Sequence, residues 1–350
     1  MNNSQTLDEL QKTEIGLKLE YFRRKGRIFD FLFSQQFDRA FLDELYHMTN
    51  KIRIIAKTRE GSRWLIGLLS TKKAMLYFIQ PSTRTFLSFM TACQTLGIQA
   101  CDVRSLETSS EVKGESFEDT IRTFSSYFDL IIMRHPQQGY AERASFVLNK
   151  THRPIPVINA GSGKDQHPTQ ALLDIYTLRK SFEHIGDLDG KTIMMVGDLM
   201  RGRTVRSLCY LLTQFSGIRI IFSSPKELRM GDDIKQFLQR KNIPVEETDQ
   251  FDEYIPHADA VYMTRIQDEW DDKSQKGKID ISRYTFRTGH LKALKATAII
   301  MHTLPRRLEI ETGVDNEPRA MYWRQMRNGM WTRVGIMSYL FNLDHVILEK

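Results

Sequence analysis

Residues 74–96 read AMLYFIQPSTRTFLSFMTACQTL, and this stretch decides the fold of the first part of the chain. The apolar run from Ala74 to Ile79 predicts a buried strand. The apolar residues after it recur at helical spacing, at Phe86, Phe89, Met90, Cys93 and Leu96. The stretch is therefore predicted to form a strand, a turn and the beginning of a helix.

The turn itself is polar, with the sequence Pro81-Ser82-Thr83-Arg84-Thr85. A strand-to-helix turn presents unpaired backbone N–H groups and the positive end of the helix dipole, here beside hydroxyls and a guanidinium. This combination favours binding of a phosphate. An ordinary capped helix, whose arginine faces water, accounts for the same residues equally well. We prefer the phosphate site because similar polar groups recur downstream.

Short apolar runs alternate with helical segments from Lys191 onward. The predicted strands there are Thr192 to Val196, Ile218 to Phe222, Ala260 to Met263 and Thr297 to Met301. The predicted helices between them are Arg203 to Phe215 and Glu227 to Lys241. In the first half, Leu130 to Met133 is a further predicted strand. This alternation predicts parallel, doubly wound sheets with helices on both faces.

At 350 residues, the chain is longer than one hydrophobic core usually serves. We expect an α/β protein of two doubly wound parallel-sheet domains, joined by a bridging helix that begins at Pro168. A C-terminal helix is expected to return to the first domain. The expected parts are a first domain over residues 1–166 with an N-terminal extension over 1–40, an interdomain helix over 167–182, a second domain over 183–316 and a C-terminal stretch over 317–350. No role can be assigned to the extension from its sequence.

The composition excludes several classes of protein. Hydrophobic residues make up 41% of the chain and charged residues 27%, and no apolar run approaches the roughly 18 residues that span a bilayer. The segment from Met1 to Lys25 lacks the apolar core of a secretory signal, so we expect a cytoplasmic location. The net charge of +7 is spread along the chain without a nucleic-acid-binding module. We therefore expect neither a membrane nor a nucleic acid as partner.

Cysteine spacing and the known cofactor motifs bear on metals and cofactors. Cys93, Cys101 and Cys209 are too few and too scattered for a disulfide framework or a metal site, and the first and last are expected to be buried. The chain has no G-x-G-x-x-G fingerprint, no P-loop and no metal-ligand spacing of His and Cys. We expect no metal and no cofactor.

Polar side chains follow several predicted strands, at the edge where open α/β sheets bind ligands. Arg134 follows a strand of the first domain, and His167 lies at the start of the bridging helix. Arg203 and Arg265 each follow a strand of the second domain. Planar guanidinium groups suit carboxylates and phosphates. Such donors suit transfer of a group between two anionic substrates, by positioning them and stabilising an oxyanion.

Six motifs, taken together and in order, carry a family resemblance. They are Pro81 to Thr85, Met133 to Gln137, Gln166 to Gln170, Gly202 to Thr204, Met263 to Gln267 and His302 to Arg306. Across about Lys72 to Asn342 the chain closely resembles the aspartate carbamoyltransferases of the aspartate/ornithine carbamoyltransferase family. Each motif is weak alone, but six in sequence are strongly specific.

The resemblance implies transfer of the carbamoyl group of carbamoyl phosphate to L-aspartate, an early step of de novo pyrimidine biosynthesis. The first domain would bind carbamoyl phosphate and the second aspartate. The implied carbamoyl-phosphate ligands are Ser82, Thr83, Arg84, Thr85, Arg134, His167, Gln170 and the main-chain carbonyls of Thr303 and Leu304. The implied aspartate ligands are Lys113, Arg134, Arg203, Thr204, Arg265 and Gln267. The implied catalytic residues are Arg84, Thr85, Lys113, Arg134 and His167.

The resemblance also implies that active sites are shared between subunits. The stretch from Ser109 to Glu115 is similar to a family loop that reaches into a neighbouring subunit's site, with Ser109 and Lys113 at its functional positions. We therefore expect a homotrimer. Whether a regulatory chain or another enzyme of the pathway binds is left open by the sequence.

Three positions depart from the family pattern. Gln80 stands where the family usually has Glu, Trp270 where it has Arg, and Thr303 where it commonly has Pro. In the family, the Glu and the Arg at the positions of Gln80 and Trp270 help hold the two domains closed. Domain closure is therefore expected to differ in this chain. Two alternatives stay open: a carbamoyltransferase for ornithine or an acylated ornithine, and a non-catalytic relative that binds ligand or a partner subunit.

Overall fold

The computed structural model describes residues 6–105, 114–163, 166–266 and 282–350. The chain divides into two compact units, each with its own sheet. The first comprises Met1–Gln170 and Gly329–Lys350, and the second comprises Ala171–Asn328. The residue limits of the domains expected from the sequence stay a prediction.

A parallel sheet forms the centre of the first unit. Its strands are β3 (Lys73–Phe78), β4 (Gln99–Val103), β5 (Leu130–His135) and β6 (Val157–Ser162), and a short antiparallel pair, β1 (Arg23–Arg24) and β2 (Arg27–Ile28), precedes them. The order across the sheet is β4-β3-β5-β6. After β3 the chain moves outward to β4 and then returns to the other side of β3 to form β5. The strand order therefore reverses between β3 and β5.

The second unit repeats this arrangement. Its strands are β7 (Thr192–Val196), β8 (Arg219–Ser223), β9 (Val245–Thr248), β10 (Ala260–Met263) and β11 (Ile299–His302). They are all parallel, in the order β11-β10-β7-β8-β9. The chain runs outward from β7 to β9 and returns on the other side of β7, so the order reverses between β7 and β10.

Helices connect the strands of both sheets. In chain order they are α1 (Leu7–Lys12), α2 (Ile15–Tyr21), α3 (Arg39–Ile55), α4 (Arg59–Leu68), α5 (Thr83–Leu96), α6 (Phe117–Tyr127), α7 (Tyr140–Asn149), α8 (Pro168–Phe182), α9 (Arg203–Leu212), α10 (Asp232–Arg240), α11 (Phe251–Tyr254), α12 (Tyr322–Leu340) and α13 (Asp344–Glu349). The predicted bridging helix is α8, with the start and end that were expected. None of the helices in the described ranges has the length and apolar character needed to cross a membrane.

Local chemistry explains where α5 ends. Gly97 follows its last turn with a φ of +78°, a left-handed conformation that closes helices and favours glycine. A Cβ at this position would lie 2.0 Å from the Ile66 carbonyl oxygen. A side chain is therefore excluded by both the backbone angle and the packing against α4.

Each sheet packs into its own hydrophobic core. The first core joins inward-facing strand residues to α6 and α7, and its buried members include Tyr77, Ile131, Met133, Val157, Ile121, Phe124 and Leu148. The second joins strand residues to the segment around α11, and its buried members include Met194, Val196, Val261, Met263, Ile300, Phe251 and Ile255. These cores fix the strand ends from which the polar loops emerge.

The N-terminal extension, to which the sequence assigned no role, adds to the first sheet. Phe31 pairs with Ile158 in a parallel bridge beside β6. Its N–H donates to the Val157 carbonyl at 2.9 Å, and its own carbonyl accepts from the Asn159 N–H at 2.8 Å. Phe31 is fully buried. The extension thus covers what would otherwise be an open sheet edge.

The C-terminal residues belong to the first unit. Arg333 on α12 donates to the Ser88 hydroxyl of α5 at 2.6 Å. At the very end of the chain, Asp344 forms an ion pair with Arg27 at 2.9 Å. The predicted α/β fold, with two doubly wound sheets and a C-terminal helix that returns to the first of them, is confirmed.

Candidate active site

The predicted phosphate turn lies directly after β3, at the start of α5. Ser82 is the N-cap residue, yet its side chain makes no capping hydrogen bond to the helix. By contrast, the N-cap hydroxyl of α4, that of Thr58, accepts from the Gly61 N–H at 2.9 Å. The first N–H groups of a helix have no intrahelical acceptor. An ordinary capped helix start therefore describes α4 but not α5.

Arg134 lies beside this turn in the first unit. It is the register partner of Phe78 on β3, so β3 and β5 end next to each other. The Arg134 side chain is 8% exposed, and its Nη1 donates to the Ala160 carbonyl at 3.0 Å. Beyond β3, the Gln80 N–H donates to the Arg134 carbonyl at 3.2 Å. The guanidinium is held at the strand-order reversal, where doubly wound sheets bind ligands.

His135 and Gln137 make local structural contacts in the turn after β5. The His135 ring stacks on Tyr140, with 3.5 Å between the ring centroids and 3° between the planes. Its Nδ1 accepts from the Gln137 N–H at 3.1 Å. Burial lowers the pKa of His135 to about 4, so the ring is neutral at physiological pH.

His167 and Gln170 lie at the start of α8, which follows β6. His167 is 4% exposed, with its Nδ1 3.4 Å from the Thr169 hydroxyl. Gln170 is partly exposed one turn further on, and its N–H donates to the His167 carbonyl at 2.9 Å. Both follow the strand next to β5, so the first unit gathers the turn, Arg134, His167 and Gln170 along three adjacent strand ends.

In the second unit, a tight loop leads from β7 into α9. Gly197 has a φ of +107°, and a Cβ there would lie 2.4 Å from the Thr264 carbonyl oxygen. The buried Asp198 carboxylate accepts from Arg201 Nε at 2.8 Å and closes the loop. Arg203 follows as the first residue of α9 and is partly exposed.

Arg265 follows β10, the strand beside β7. The Thr264 N–H and hydroxyl both donate to the Val196 carbonyl at 2.8 Å, which holds the ends of β7 and β10 together. Arg265 is partly exposed, and its Nη1 donates to the Ile266 carbonyl at 3.0 Å. Arg203 and Arg265 therefore lie at the strand-order reversal of the second sheet.

The turn after β11 carries Thr303 and Leu304, both partly exposed. Leu304 has a φ of +52°, unusual for a residue with a side chain and typical of functional turns. Its N–H donates to His302 Nδ1 at 2.7 Å. The peptide bond between Leu304 and Pro305 is cis.

Four residues of interest lie outside the described residues: Ser109, Lys113, Gln267 and Trp270. Thr204 is described, and its hydroxyl is hydrogen-bonded to the phenol of Tyr262. Cys93 and Cys209 are buried, as expected, and Cys101 is exposed. Burial raises the pKa of Cys93 to about 12 and raises that of Cys209 further, so neither thiol is an activated nucleophile.

Three buried polar residues of the second unit were not predicted from the sequence to belong to the site: Asp174, Tyr262 and Gln325. The Tyr262 hydroxyl donates to Asp174 at 2.6 Å, and Gln325 Nε2 donates to the same carboxylate at 2.7 Å. The signal was visible, because Asp174 lies on the apolar face of α8 with Ala171 and Leu178, where a charge needs partners.

Two domain models of one known family match most of the chain. The model for the carbamoyl-P binding domain of aspartate/ornithine carbamoyltransferase matches residues 30–180. The model for the Asp/Orn binding domain of the same enzymes matches residues 189–340. This chain belongs to the aspartate/ornithine carbamoyltransferase family. The resemblance stated from the six motifs is confirmed.

Individual relatives agree with this membership. Aspartate carbamoyltransferase 1, chloroplastic, of Pisum sativum is 41% identical over 319 residues, covering 91% of this chain and 80% of that protein. The aspartate carbamoyltransferase catalytic subunit of Methanocaldococcus jannaschii is 43% identical over 276 residues, covering 79% of this chain and 87% of that protein. The crystal structure of Trypanosoma cruzi aspartate transcarbamoylase in complex with N-(phosphonacetyl)-L-aspartic acid has a TM-score of 0.80 at 36% identity, covering 88% of this chain and 94% of that one.

The names of the plant relatives correct one expectation. Relatives from Pisum sativum, Arabidopsis thaliana and Oryza sativa are named chloroplastic. The cytoplasmic location expected from the sequence is therefore wrong. It rested on the lack of an apolar secretory core, but plastid transit peptides are amphipathic and have no such core, so its absence does not separate the two locations.

Proposed function

We propose that this protein transfers the carbamoyl group of carbamoyl phosphate to the α-amine of L-aspartate, giving N-carbamoyl-L-aspartate and phosphate. The supporting observation is the position of its donors: each sheet places arginines at the carboxyl ends of the strands where its order reverses. Open α/β sheets bind ligands at these positions, and arginines select anions. Both substrates are anions, which matches a donor-rich edge in each unit.

Carbamoyl phosphate is assigned to the first unit. Its phosphate is suited by three groups at the start of α5: the backbone N–H groups, the hydroxyl of Ser82, which makes no capping bond, and the guanidinium of Arg84. Arg134 and His167 then donate to its carbonyl oxygen. Gln170 and the main-chain carbonyls of Thr303 and Leu304 accept from the carbamoyl NH₂ group.

Aspartate is assigned to the second unit. Arg203 and Arg265 bind its two carboxylates, with Gln267 as a further donor. Two planar guanidinium groups that each bind a carboxylate select a dicarboxylate over the mono-carboxylate ornithine. Thr204, which follows Arg203 in the first turn of α9, is assigned to aspartate as well.

The reaction needs donors more than a base. The neutral amine attacks the carbonyl carbon, so a C–N bond forms and the negative charge develops on the carbonyl oxygen, where Thr85, Arg134 and His167 donate. The C–O bond to phosphate then breaks. The departing phosphate takes up the proton that the nitrogen loses, so no side-chain base is required. Loss of one oxyanion donor typically costs ~3–4 kcal/mol of barrier.

A direct assay tests this assignment against both alternatives. Purified protein is incubated with carbamoyl phosphate and either L-aspartate, L-ornithine or N-acetyl-L-ornithine, and phosphate release is measured. Of the three amines, we expect only L-aspartate to raise phosphate release above the spontaneous rate. Release with either ornithine would support the alternative acceptor, and no release with any amine would support a non-catalytic relative.

We further infer that the active unit is a trimer in which Ser109 and Lys113 serve a neighbour's site. The support is the loop motif and the family membership. Mixing the inactive variants Arg84→Ala and Lys113→Ala under subunit exchange should restore part of the activity, because some sites then receive both intact residues. Proven mixed assemblies without any recovery would place each site within one chain.

The names of the plant relatives favour a plastid as the compartment.

A further inference from the structure

A chain of buried hydrogen bonds in the second unit begins at Asp174 on α8. Its carboxylate is fully buried and accepts from two donors, the Tyr262 hydroxyl at 2.6 Å and Gln325 Nε2 at 2.7 Å. Gln325 in turn accepts from the His302 N–H at 3.0 Å through Oε1. All three partners are at most 1% exposed. A carboxylate in this position is costly unless each bond is made.

The carboxylate decides how Gln325 is oriented. Gln325 points its NH₂ group at Asp174, whose Oδ1 accepts the bond. Its carbonyl oxygen is thereby turned toward the His302 N–H. With the opposite amide orientation, Nε2 would face that N–H, donor against donor. Asp174 therefore sets the polarity of the whole chain of bonds.

One branch ends at the turn after β11. His302 Nδ1 accepts from the Leu304 N–H at 2.7 Å, which places the ring proton on Nε2, 3.8 Å from a Glu309 carboxylate oxygen. The accepted N–H belongs to a residue whose φ is +52°. Asp174, Gln325 and His302 thus hold the turn that presents the Thr303 and Leu304 carbonyls.

The other branch ends at the start of α9. The Tyr262 phenol is hydrogen-bonded to the Thr204 hydroxyl, and Thr204 follows Arg203 in the chain. Burial, followed by the nearby Asp174 charge, raises the pKa of Tyr262 well above its ordinary value, so the hydroxyl keeps its proton and donates. This branch ends at the residue after Arg203, in the first turn of α9.

We propose that Asp174 is a positioning residue for both substrates, acting on the Thr303–Leu304 turn through Gln325 and His302 and on Arg203 through Tyr262 and Thr204. The inference rests on the proposed function, because it takes from it which substrate each end of the chain contacts. Asp174 itself touches neither substrate. The two branches separate, so each is expected to affect a different kinetic constant.

The test compares three buried variants by steady-state kinetics with each substrate varied in turn. Tyr262→Phe removes one hydroxyl from the α9 branch, and Gln325→Met breaks the branch to the turn. The matched control is Thr177→Val, since the buried Thr177 hydroxyl accepts from Asn328 Nδ2 at 3.1 Å between the same two helices and reaches neither loop. Unfolding is followed by circular dichroism for each variant.

We expect Tyr262→Phe to raise the KM for aspartate about fivefold, with the KM for carbamoyl phosphate within twofold of wild type. Gln325→Met should raise the KM for carbamoyl phosphate about fivefold and leave the KM for aspartate within twofold of wild type. Thr177→Val should lose stability without changing either KM. If both test variants behave as this control does, or if both KM values move together in each, the proposal is wrong. Tyr262→Phe alone decides the α9 branch if Gln325→Met does not fold.

A pH profile gives an independent readout. In Gln325→Glu, a protonated carboxyl can donate to Asp174 and accept from the His302 N–H as the amide does, whereas the ionised form repels Asp174. The titratable groups around this position are Asp174, Tyr262, His302 and, beyond it, Glu309. Activity relative to wild type should therefore rise as the pH falls from 8 to 6. A constant ratio would contradict the role given to Gln325. Wild-type protein is assayed first, and absence of turnover there would overturn the proposed function and this inference together.

Discussion

Ser82 and Thr58 occupy the same position, the N-cap, in the successive helices α5 and α4, but their hydroxyls have different partners. The Thr58 hydroxyl caps its helix, whereas that of Ser82 makes no capping bond. A hydroxyl that does not stabilise its own helix is available to a ligand. At the scale of single residues, Ser82 differs in this from Thr6, Thr58 and Ser116, the hydroxyl N-caps that do cap their helices in the described part of the chain.

Paired alanine variants test the contrast directly. Thr58→Ala should lower the free energy of unfolding by ~1 kcal/mol and leave kcat/KM for carbamoyl phosphate unchanged, because only a cap is lost. Ser82→Ala should leave stability almost unchanged and reduce kcat/KM for carbamoyl phosphate. Urea titrations and phosphate-release kinetics measure both. If Ser82→Ala instead lowered the stability and left kcat/KM for carbamoyl phosphate unchanged, Ser82 would be an ordinary helix cap.

Arginines at the same two helix starts give a second pair. Arg84→Ala should reduce turnover by roughly 10²–10³-fold, the usual effect of losing a donor to developing charge. Arg59→Ala, in the first turn of α4 and exposed, should reduce it less than twofold. Circular dichroism spectra should show both variants folded. Equal turnover rates in the two variants would show that Arg84 takes no part in the reaction.

At the scale of elements, the attachment of the N-terminal segment depends on a buried carboxyl. Asp30 accepts from the Val157 N–H at 2.8 Å and from the Ser145 hydroxyl at 2.5 Å. Burial raises the pKa of Asp30 to about 7, although these bonds and nearby Arg24 oppose the shift. The unfolded chain releases this proton near pH ~4, whereas the folded chain keeps it to about 7. Stability is therefore expected to fall as the pH rises between these values and to level off above 7.

Replacing Asp30 by the isosteric Asn should remove this dependence. The urea midpoint of the wild type should decrease between pH 5 and pH 7.5, by as much as the equivalent of ~2.5 kcal/mol. Asp30→Asn should show a flatter profile and be the more stable protein at pH 8. Asp102→Asn, an exposed aspartate on β4, serves as the control and should follow the wild type. Parallel profiles for Asp30→Asn and wild type would show that Asp30 does not titrate in this range.

The elements that sequence predicts well are those with strong apolar patterns. β7 and β10 were predicted with their exact limits, because each is a short apolar run buried on both faces. β4 and β9 were not predicted, since they lie at sheet edges and most of their residues are at least partly exposed. The pairing of Phe31 with β6 was also missed, because one bridge depends on distant residues rather than on local pattern.

The sequence predicted part of the candidate site and missed another part. Residues at strand ends, such as Arg134 and Arg265, could be placed at a ligand-binding edge from the alternation of strands and helices. The identity of their ligands came from the resemblance of six motifs. Asp174 and Gln325 could not be connected from the sequence, because their bond joins two helices separated by most of the second unit.

At the scale of the whole molecule, the two units are two versions of one arrangement. Each has a parallel sheet whose order reverses once, and each places arginines at that reversal. The central claim is that the first reversal binds carbamoyl phosphate and the second binds aspartate. A variant at either reversal should then impair the binding of one substrate without impairing that of the other.

Variants of the second unit test this division of labour. Arg265→Ala should raise the KM for aspartate at least tenfold, because a bidentate carboxylate contact is lost. The Kd for carbamoyl phosphate, measured by calorimetry without aspartate, should stay within twofold of wild type. Arg229→Ala, a more exposed arginine of the same unit, is the control. A parallel loss of carbamoyl phosphate affinity would contradict the separation of the two functions.

A crystal structure of the protein with N-(phosphonacetyl)-L-aspartate tests the central claim most directly. We predict that the phosphonate contacts the Ser82 hydroxyl, the N–H groups at the start of α5 and Arg134, and that the two carboxylates contact Arg203 and Arg265. A phosphonate bound away from the start of α5, or carboxylates bound without either of those arginines, would contradict it.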